Sequence, residues 1–265
     1  MTQNEPDITK IATLEDVEPL TREMIEAGVF YGRTKRKTNP KMKQYITANR
    51  NGIEIIDLRV TEEGLNKALA FLKEKAKSGA PMLFVATQAP AYEDIMSLAK
   101  EFSIPAVTTR WLGGTLTNFK VISKRIEYFK KLKADLAAGA FHKYTKKEQL
   151  DIEKESSRLE ELLGTLENMT LRPEVLIVID TNLHHTGVRE ARKLGIPVAA
   201  FINTDADPDL VQYPVIGNNK SRSAIKWFLE KAAEALREGR KEKAASLAAV
   251  AVAAVESQKA EEKNK

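Results

Sequence analysis

Three runs of apolar residues constrain this chain more than any other feature: MLFVAT (82–87), EVLIVID (174–180) and IPVAAFINT (196–204). None alternates apolar with polar positions, so each fits a strand buried on both faces. The segments around them carry the other period. TEEGLNKALAFLKEKAKSG (61–79) puts Leu65, Ala68, Leu69 and Leu72 on one helical face, with Gly79 to stop it. AYEDIMSLAKEF (91–102) and HHTGVREARKLG (184–195) are helical as well, the second closed by Gly195, and IPAVTT (104–109) is a further short strand. KSRSAIKWFLEKAAEALREG (220–239) gives a last helix, ended by Gly239, with Trp227 and Phe228 in the core. YITANRNGIEIIDL (45–58) is two strand pieces about Asn51-Gly52, a hairpin signal. Buried strands alternating with amphipathic helices predict an α/β fold built on a parallel sheet covered on both faces.

Residues 117–167 interrupt that alternation. Phe119, Ile122, Ile126, Phe129 and Leu136 recur at threes and fours, and so do Ile152, Leu159, Leu162 and Leu166. Between them lies AAGAFHKYTKKE (137–148), whose Thr145 and Glu148 form a capping box for the second helix. Two such helices predict an inserted antiparallel coiled-coil hairpin, an arm whose removal leaves the α/β domain folded. The first helix carries six bases and two acids, and residues 146–167 carry seven acids and four bases. The chain then divides into an acidic segment at 1–19, an α/β domain at 20–116 and 168–239, the arm at 117–167, and a tail at 240–265. That tail is rich in Ala, Glu and Lys and reads as a frayed helix or a flexible segment.

Composition removes several kinds of chemistry. The 265 residues include no cysteine, which excludes disulfides, thiolate metal sites and cysteine nucleophiles. Three histidines, His142, His184 and His185, leave little for zinc or acid–base work, and the adjacent pair at a helix start reads as exposed. The first ten residues, MTQNEPDITK, do not have the form of a secretory signal, and AASLAAVAVAAV near the other end is too short to span a bilayer. A soluble, intracellular protein is expected.

The net charge of +5 is mild, but its distribution is not. Residues 1–26 hold seven acids and two bases; Arg33, Lys35, Arg36, Lys37, Lys41 and Lys43 then put six cations in eleven positions with no acid among them. Asn39-Pro40 breaks a helix there, so the cations lie on a loop without partners at helical spacing. Either they form a solvated face or an outside polyanion relieves their repulsion, and nucleic acid is the polyanion the pattern favours.

RWLGGTLTNFK (110–120) resembles a phosphate-cradling loop at first sight. It has neither the lysine and hydroxyl of a nucleotide loop nor the spaced glycines of a dinucleotide loop. Gly113-Gly114 can instead form a tight turn that uses positive φ to launch the arm, or a nest of N–H groups for an anion. Arg110 and Trp111 either brace that exit or touch RNA. Phe141, His142, Lys143 and Tyr144 place aromatic faces beside cations at the arm's tip, suited to stacking on bases or to plugging the end of the coil. The opposing, enzymatic reading rests on Asp180, Asp205, Asp207 and Asp209, which could meet at the carboxyl edge of the sheet and hold magnesium for nucleotide or phosphate chemistry. Aspartates beside Pro208 are also ordinary turn formers, and no nucleophile or base accompanies them. A pure protein-interaction scaffold would account for the arm and not for the basic loop.

Four blocks, GVFYGRTKRKTNPKMKQYITANRNGIEIIDL, RWLGGTLTNFKVISKRI, YTKKE and ARKLGIPVAAFINTDADPDLVQYPVIGNN, together resemble the bacterial-type family of small-subunit ribosomal protein two. The resemblance runs in order from about residue 20 to about residue 238. It implies a flavodoxin-like α/β domain with an inserted coiled-coil hairpin, no enzymatic activity and no cofactor. It also implies a cytoplasmic, structural place in the small ribosomal subunit, with ribosomal RNA and neighbouring proteins, including ribosomal protein one, as partners. Together with the charge pattern it directs attention to Arg33, Lys35, Arg36, Lys37, Lys41, Lys43, Arg110, Trp111, Lys120, Lys124, Lys143 and Tyr144 as RNA contacts. The chain departs from the family pattern where Phe30-Tyr31-Gly32-Arg33 stands for His-Phe-Gly-His, where Thr38 stands for tryptophan, and where Gln88 and Ala89 stand for a Lys-Arg pair.

Overall fold

Five strands carry the domain: β4 (Met82–Val85), β5 (Ala106–Val107), β6 (Val175–Ile179), β7 (Val198–Ile202) and β8 (Tyr213–Ile216). The computed structural model describes residues 18–263, with side chains through Ser246. The acidic segment 1–17 therefore lies outside the described residues. All neighbouring strands pair in parallel, in the spatial order β5-β4-β6-β7-β8. Counted along the sheet's own strands this is the order 2-1-3-4-5 of flavodoxin-like folds, with the reversal of winding between β4 and β6.

The apolar runs behave as their lack of alternation requires. Every residue of β4, β6 and β7 is buried. Phe84, Ile177 and Phe201 face a core shared with α2 (Leu58–Ser78), α3 (Ala89–Phe102) and α7 (Arg222–Lys263), where Phe228 stacks on Phe201 with ring centroids 4.9 Å apart. Leu83, Val85, Leu176 and Val178 face a second core with α6 (His185–Lys193). Trp227 is buried as expected. A short α1 (Pro19–Glu26) packs against the first core through Met24.

Two strands carried no clear sequence signal. β8 contains Pro214, which a sheet tolerates only at its edge, and the edge is where β8 lies. β1 (Tyr31–Thr34) joins the expected hairpin, β2 (Ile46–Arg50) and β3 (Ile53–Ile56), in a small antiparallel sheet of order β1-β3-β2. The hairpin turns at Asn51-Gly52 with Arg50 opposite Ile53, as its sequence predicts. The loop after β1 is not irregular throughout. It holds two 3-10 turns, Lys35–Lys37 and Pro40–Tyr45, and Asn39 caps the second by accepting from the Lys41 amide at 3.0 Å.

The inserted helices are α4 (Phe119–Ala137) and α5 (Lys146–Leu163), and the Thr145–Glu148 capping box starts α5 as expected. Their roles differ from those of two equal partners in a free-standing arm. Ile122, Ile126 and Phe129 of α4 belong to the second core, with Leu83, Val85 and Leu176 of the sheet. On α5 only Leu163 is buried. The ties between the helices, Tyr128 Oη to Glu155 at 3.3 Å and Lys133 to Glu160 at 3.4 Å, advance together along both. Removing 121–163 would take Ile122, Ile126, Phe129 and Leu163 out of that core.

The last helix does not stop at Gly239. It continues to Lys263, and the glycine answers a different need. A Cβ at 239 would lie 2.4 Å from the Lys73 carbonyl oxygen and 2.7 Å from Ala76 Cβ, because α7 passes close against α2 there. Lys73 bridges Glu238 and Glu242 where the helices meet, at 3.0 and 2.9 Å. In an exposed helix Gly→Ala stabilises by about 1 kcal/mol, whereas overpacking a tight interface costs about 1–3 kcal/mol. Gly239→Ala is accordingly expected to lower stability by about 1 kcal/mol or more in urea unfolding; a stabilised variant would show that the two helices do not meet this closely.

Candidate nucleic-acid interface

The glycine loop is built around an anion, and the anion is the protein's own. Glu190 on α6 is buried, and its carboxylate reaches back to the loop. Oε1 accepts from the Gly114 amide at 2.8 Å and from Trp111 Nε1 at 3.1 Å. Oε2 accepts from the amides of Leu116 and Thr117 and from the Thr117 hydroxyl, each at 3.1 Å. Burial pushes the Glu190 carboxyl up, but the bonds from Gly114, Trp111, Thr117 and Leu116 outweigh it and hold it below the usual carboxylate range. The loop is thus an anion nest whose occupant comes from α6, and a substrate phosphate has no place in it.

Trp111 is tied into the protein's own structure. Its ring lies against the backbone of Gly187, where a Cβ would sit 3.1 Å from three of its ring atoms, and its N–H is spent on Glu190. Trp111 braces the exit of the chain toward α4. The two glycines also separate: Gly114 adopts φ +89°, while Gly113 has an ordinary φ and open space around its Cβ position. The loop therefore depends on Gly114, and Gly113 does not supply the positive φ expected of it. Glu190→Ala leaves three amides, an indole N–H and a hydroxyl without their acceptor, and stability should fall by about 3 kcal/mol or more. Gly114→Val should be clearly destabilising and Gly113→Val close to neutral; equal effects in denaturant titrations would refute this division.

The basic loop lies against the segment after β7. The Arg33 amide donates to Thr204 Oγ1 at 2.8 Å, its Nε pairs with Asp205 at 3.2 Å, and the Asn39 amide donates to the Thr204 carbonyl at 2.8 Å. Met42 is fully buried and anchors the second 3-10 turn. Lys41 pairs with Asp207 at 2.8 Å and Asp209 at 2.7 Å, and those bonds, Asp207's first, raise its pKa. Two of the six cations are thus neutralised from within, by carboxylates far away in sequence and not by neighbours at helical spacing. Lys35, Arg36, Lys37 and Lys43 are exposed and form no ion pair among the described residues. Arg110, Lys120, Lys124, Lys143 and Tyr144 are exposed too, on the glycine loop's entry, on α4 and at the α4–α5 connection. At that connection Phe141 and Tyr144 pack edge to face at 5.6 Å, and Gln149 Nε2 donates to both of their carbonyls.

The four aspartates of the magnesium reading do not converge. Asp205 is spent on Arg33, Asp207 and Asp209 on Lys41, and Asp180 accepts from Lys220 Nζ at 2.8 Å and from Gln88 Nε2 at 3.0 Å. No group of three His, Asp or Glu side chains placed to hold a metal occurs among the described residues. Gln88, in the position where the family pattern has a cation, is buried on Asp180.

His184 is buried, not exposed as expected of it, while His185 is exposed. Its Nε2 accepts from the Thr87 amide at 3.3 Å, joining the ends of β4 and β6. Burial lowers its pKa to about 4, against the pull of nearby Asp180. The neutral form is the native one, so stability is constant above the unfolded value near 6.5 and falls as pH drops from there toward 4. Between pH 7 and pH 5 this residue costs about 2 kcal/mol of stability. Urea midpoints measured across that window should shift for the wild type and shift less for His184→Gln; identical slopes would contradict the burial of a neutral imidazole.

Comparison with known proteins follows the same pattern. The family model described as Ribosomal protein S2 matches residues 24–239. The chain belongs to the ribosomal protein S2 family. A curated relative from Corynebacterium urealyticum, named small ribosomal subunit protein uS2, is 43% identical over 231 residues, covering 87% of this chain and 86% of that protein. Proteins of the same name from Coprothermobacter proteolyticus and Mycobacterium tuberculosis are 42% and 41% identical, over 83% and 82% of this chain and 82% and 76% of their own lengths. No helix among the described residues is long and apolar enough to cross a membrane.

Proposed function

We propose that this S2-family chain is a non-catalytic, structural component of the small ribosomal subunit that binds ribosomal RNA and neighbouring ribosomal proteins in the cytoplasm. One observation carries the reading beyond the family name. Lys35, Arg36, Lys37 and Lys43 stand exposed on two 3-10 turns that Met42, Asn39 and the Arg33–Asp205 pair hold against the domain. Held cations meet phosphates without first giving up backbone freedom, so they bind a polyanion better than the same charges on a free coil. Arg110, Lys120, Lys124, Lys143 and Tyr144 would extend the interface along the inserted helices. Ribosomal protein one is a partner that the family resemblance implies. A catalytic role finds no support in the carboxylates, each of which is bonded to a cation.

Arg36→Ala with Lys37→Ala should reduce incorporation of the protein into small subunits in sucrose gradients. For the isolated protein on subunit RNA the log–log salt slope should flatten by about 0.7–0.9 for each phosphate that is no longer neutralised. Lys41→Ala, which removes a cation already committed to Asp207 and Asp209, should change the slope by less. A double variant that assembles and titrates like the wild type would remove this loop from the RNA interface.

A further inference from the structure

Where the glycine loop, α4 and α5 come together, they enclose a cavity of about 310 Å³. Leu112, Leu159, Leu162 and Leu163 form its apolar part, and Arg110, Arg125 and Arg158 bring one guanidinium each from three different elements. None of the three arginines forms an ion pair among the described residues. The single acid in the lining, Glu155, accepts a hydrogen bond from the Tyr128 hydroxyl. Three unpaired cations around one hollow repel each other, and an anion entering it relieves that repulsion. The volume lies at the low end of small-ligand sites, which are about 300–1,000 Å³, so the cavity has room for one small group and not for an extended segment.

We infer that this cavity receives a single unstacked nucleotide of RNA, with its base against the leucines and its phosphate between the guanidiniums. Arginine suits both parts, since its planar fork binds phosphate oxygens in pairs and stacks on bases. An acidic peptide side chain would answer the charge and leave the leucine floor uncovered. The inference rests on the RNA-binding reading above and shares Arg110 with it, but its test uses Arg125 and Arg158 on α4 and α5, which that reading does not, so the two can fail separately.

The test uses the full chain and a short, mixed-sequence, single-stranded RNA carrying thiouridine, read by fluorescence anisotropy over a salt series and by photo-cross-linking. Arg125→Ala with Arg158→Ala should weaken binding about tenfold and flatten the salt slope by about 1.4, at about 0.7 for each of the two arginines removed from a single strand. Leu159→Trp, which fills the floor and leaves every charge, should weaken binding with little change in slope. Cross-links should fall in residues 110–112 or 155–163. Both variants should melt at the wild-type temperature, and Arg125→Lys with Arg158→Lys should recover part of the affinity, which separates an effect on RNA binding from an effect on folding. The inference is overturned if the double alanine variant binds like the wild type, if cross-links fall only elsewhere, or if oligoglutamate occupies the cavity and RNA does not. Loss of binding in Arg36→Ala with Lys37→Ala but not in the cavity variants would remove this site and keep the RNA reading. Failure of the wild type to bind the oligonucleotide would remove this site as well.

Discussion

The Glu190 carboxylate is the interaction on which the rest of this architecture depends. It enters from α6, beneath the sheet, and gathers the loop that leaves β5 for α4. An unpaired buried carboxylate would cost several kcal/mol, and its unsatisfied donors would cost more, so neither side is stable alone. Together they fix the direction in which the chain departs from the sheet. Trp111, wedged between Glu190 and the backbone of Gly187, turns that direction into a packed junction. The start of α4 follows, and with it the seating of Ile122, Ile126 and Phe129 over Leu83, Val85 and Leu176.

A second set of internal pairings decides which charges remain for a partner. The acids after β7 and the cations in and after β1 lie far apart in sequence, 172 positions for Arg33–Asp205 and 166 for Lys41–Asp207, yet they meet. Pairs at or near the surface add little to stability, on the order of 0–1 kcal/mol each. Their effect is one of arrangement. They hold the loop against the domain and neutralise carboxylates that would repel an incoming phosphate, while Lys35, Arg36, Lys37 and Lys43 stay exposed.

What the sequence revealed and what it hid follow from the range of the interactions. Strands β4, β6 and β7 were legible because burial on both faces leaves an unbroken apolar run, and the Asn51-Gly52 turn and the Thr145–Glu148 box because their chemistry is complete within four residues. Glu190 was hidden because it sits among charged residues on a short helix, and the donors it serves are 73 to 79 positions away. His184 was hidden for the same reason: the Thr87 amide that meets it is 97 positions distant. Gly239 reads as a helix stop in any sequence, and only the approach of Lys73 and Ala76 shows that it is a spacer. Of the residues read as RNA contacts, the cations other than Arg33 lie exposed, and Trp111 is partly buried with its N–H on Glu190, a partner 79 positions away.

The apolar stripe of α4 shows what a sequence pattern leaves open about an insertion. A helix with Ile122, Ile126 and Phe129 in register must bury that face, but the pattern does not say against what. A second amphipathic helix follows at once, so mutual burial in a coiled coil is the simplest expectation. The sheet, however, has a face of its own to cover: Leu83, Val85, Leu176 and Val178 are all buried although α6 is only nine residues long. A helix that short cannot cover a five-stranded sheet, whose strands lie about 4.8 Å apart. The remaining area is covered from several elements, among them Met42, Ile56, Leu163 and Leu166 together with Ile122, Ile126 and Phe129 of α4. α5, left with Leu163 as its one buried residue, then presents most of its surface outward. Both helices of the insertion therefore enter one core, α4 through Ile122, Ile126 and Phe129 and α5 through Leu163, with Leu159 and Leu162 packed against it.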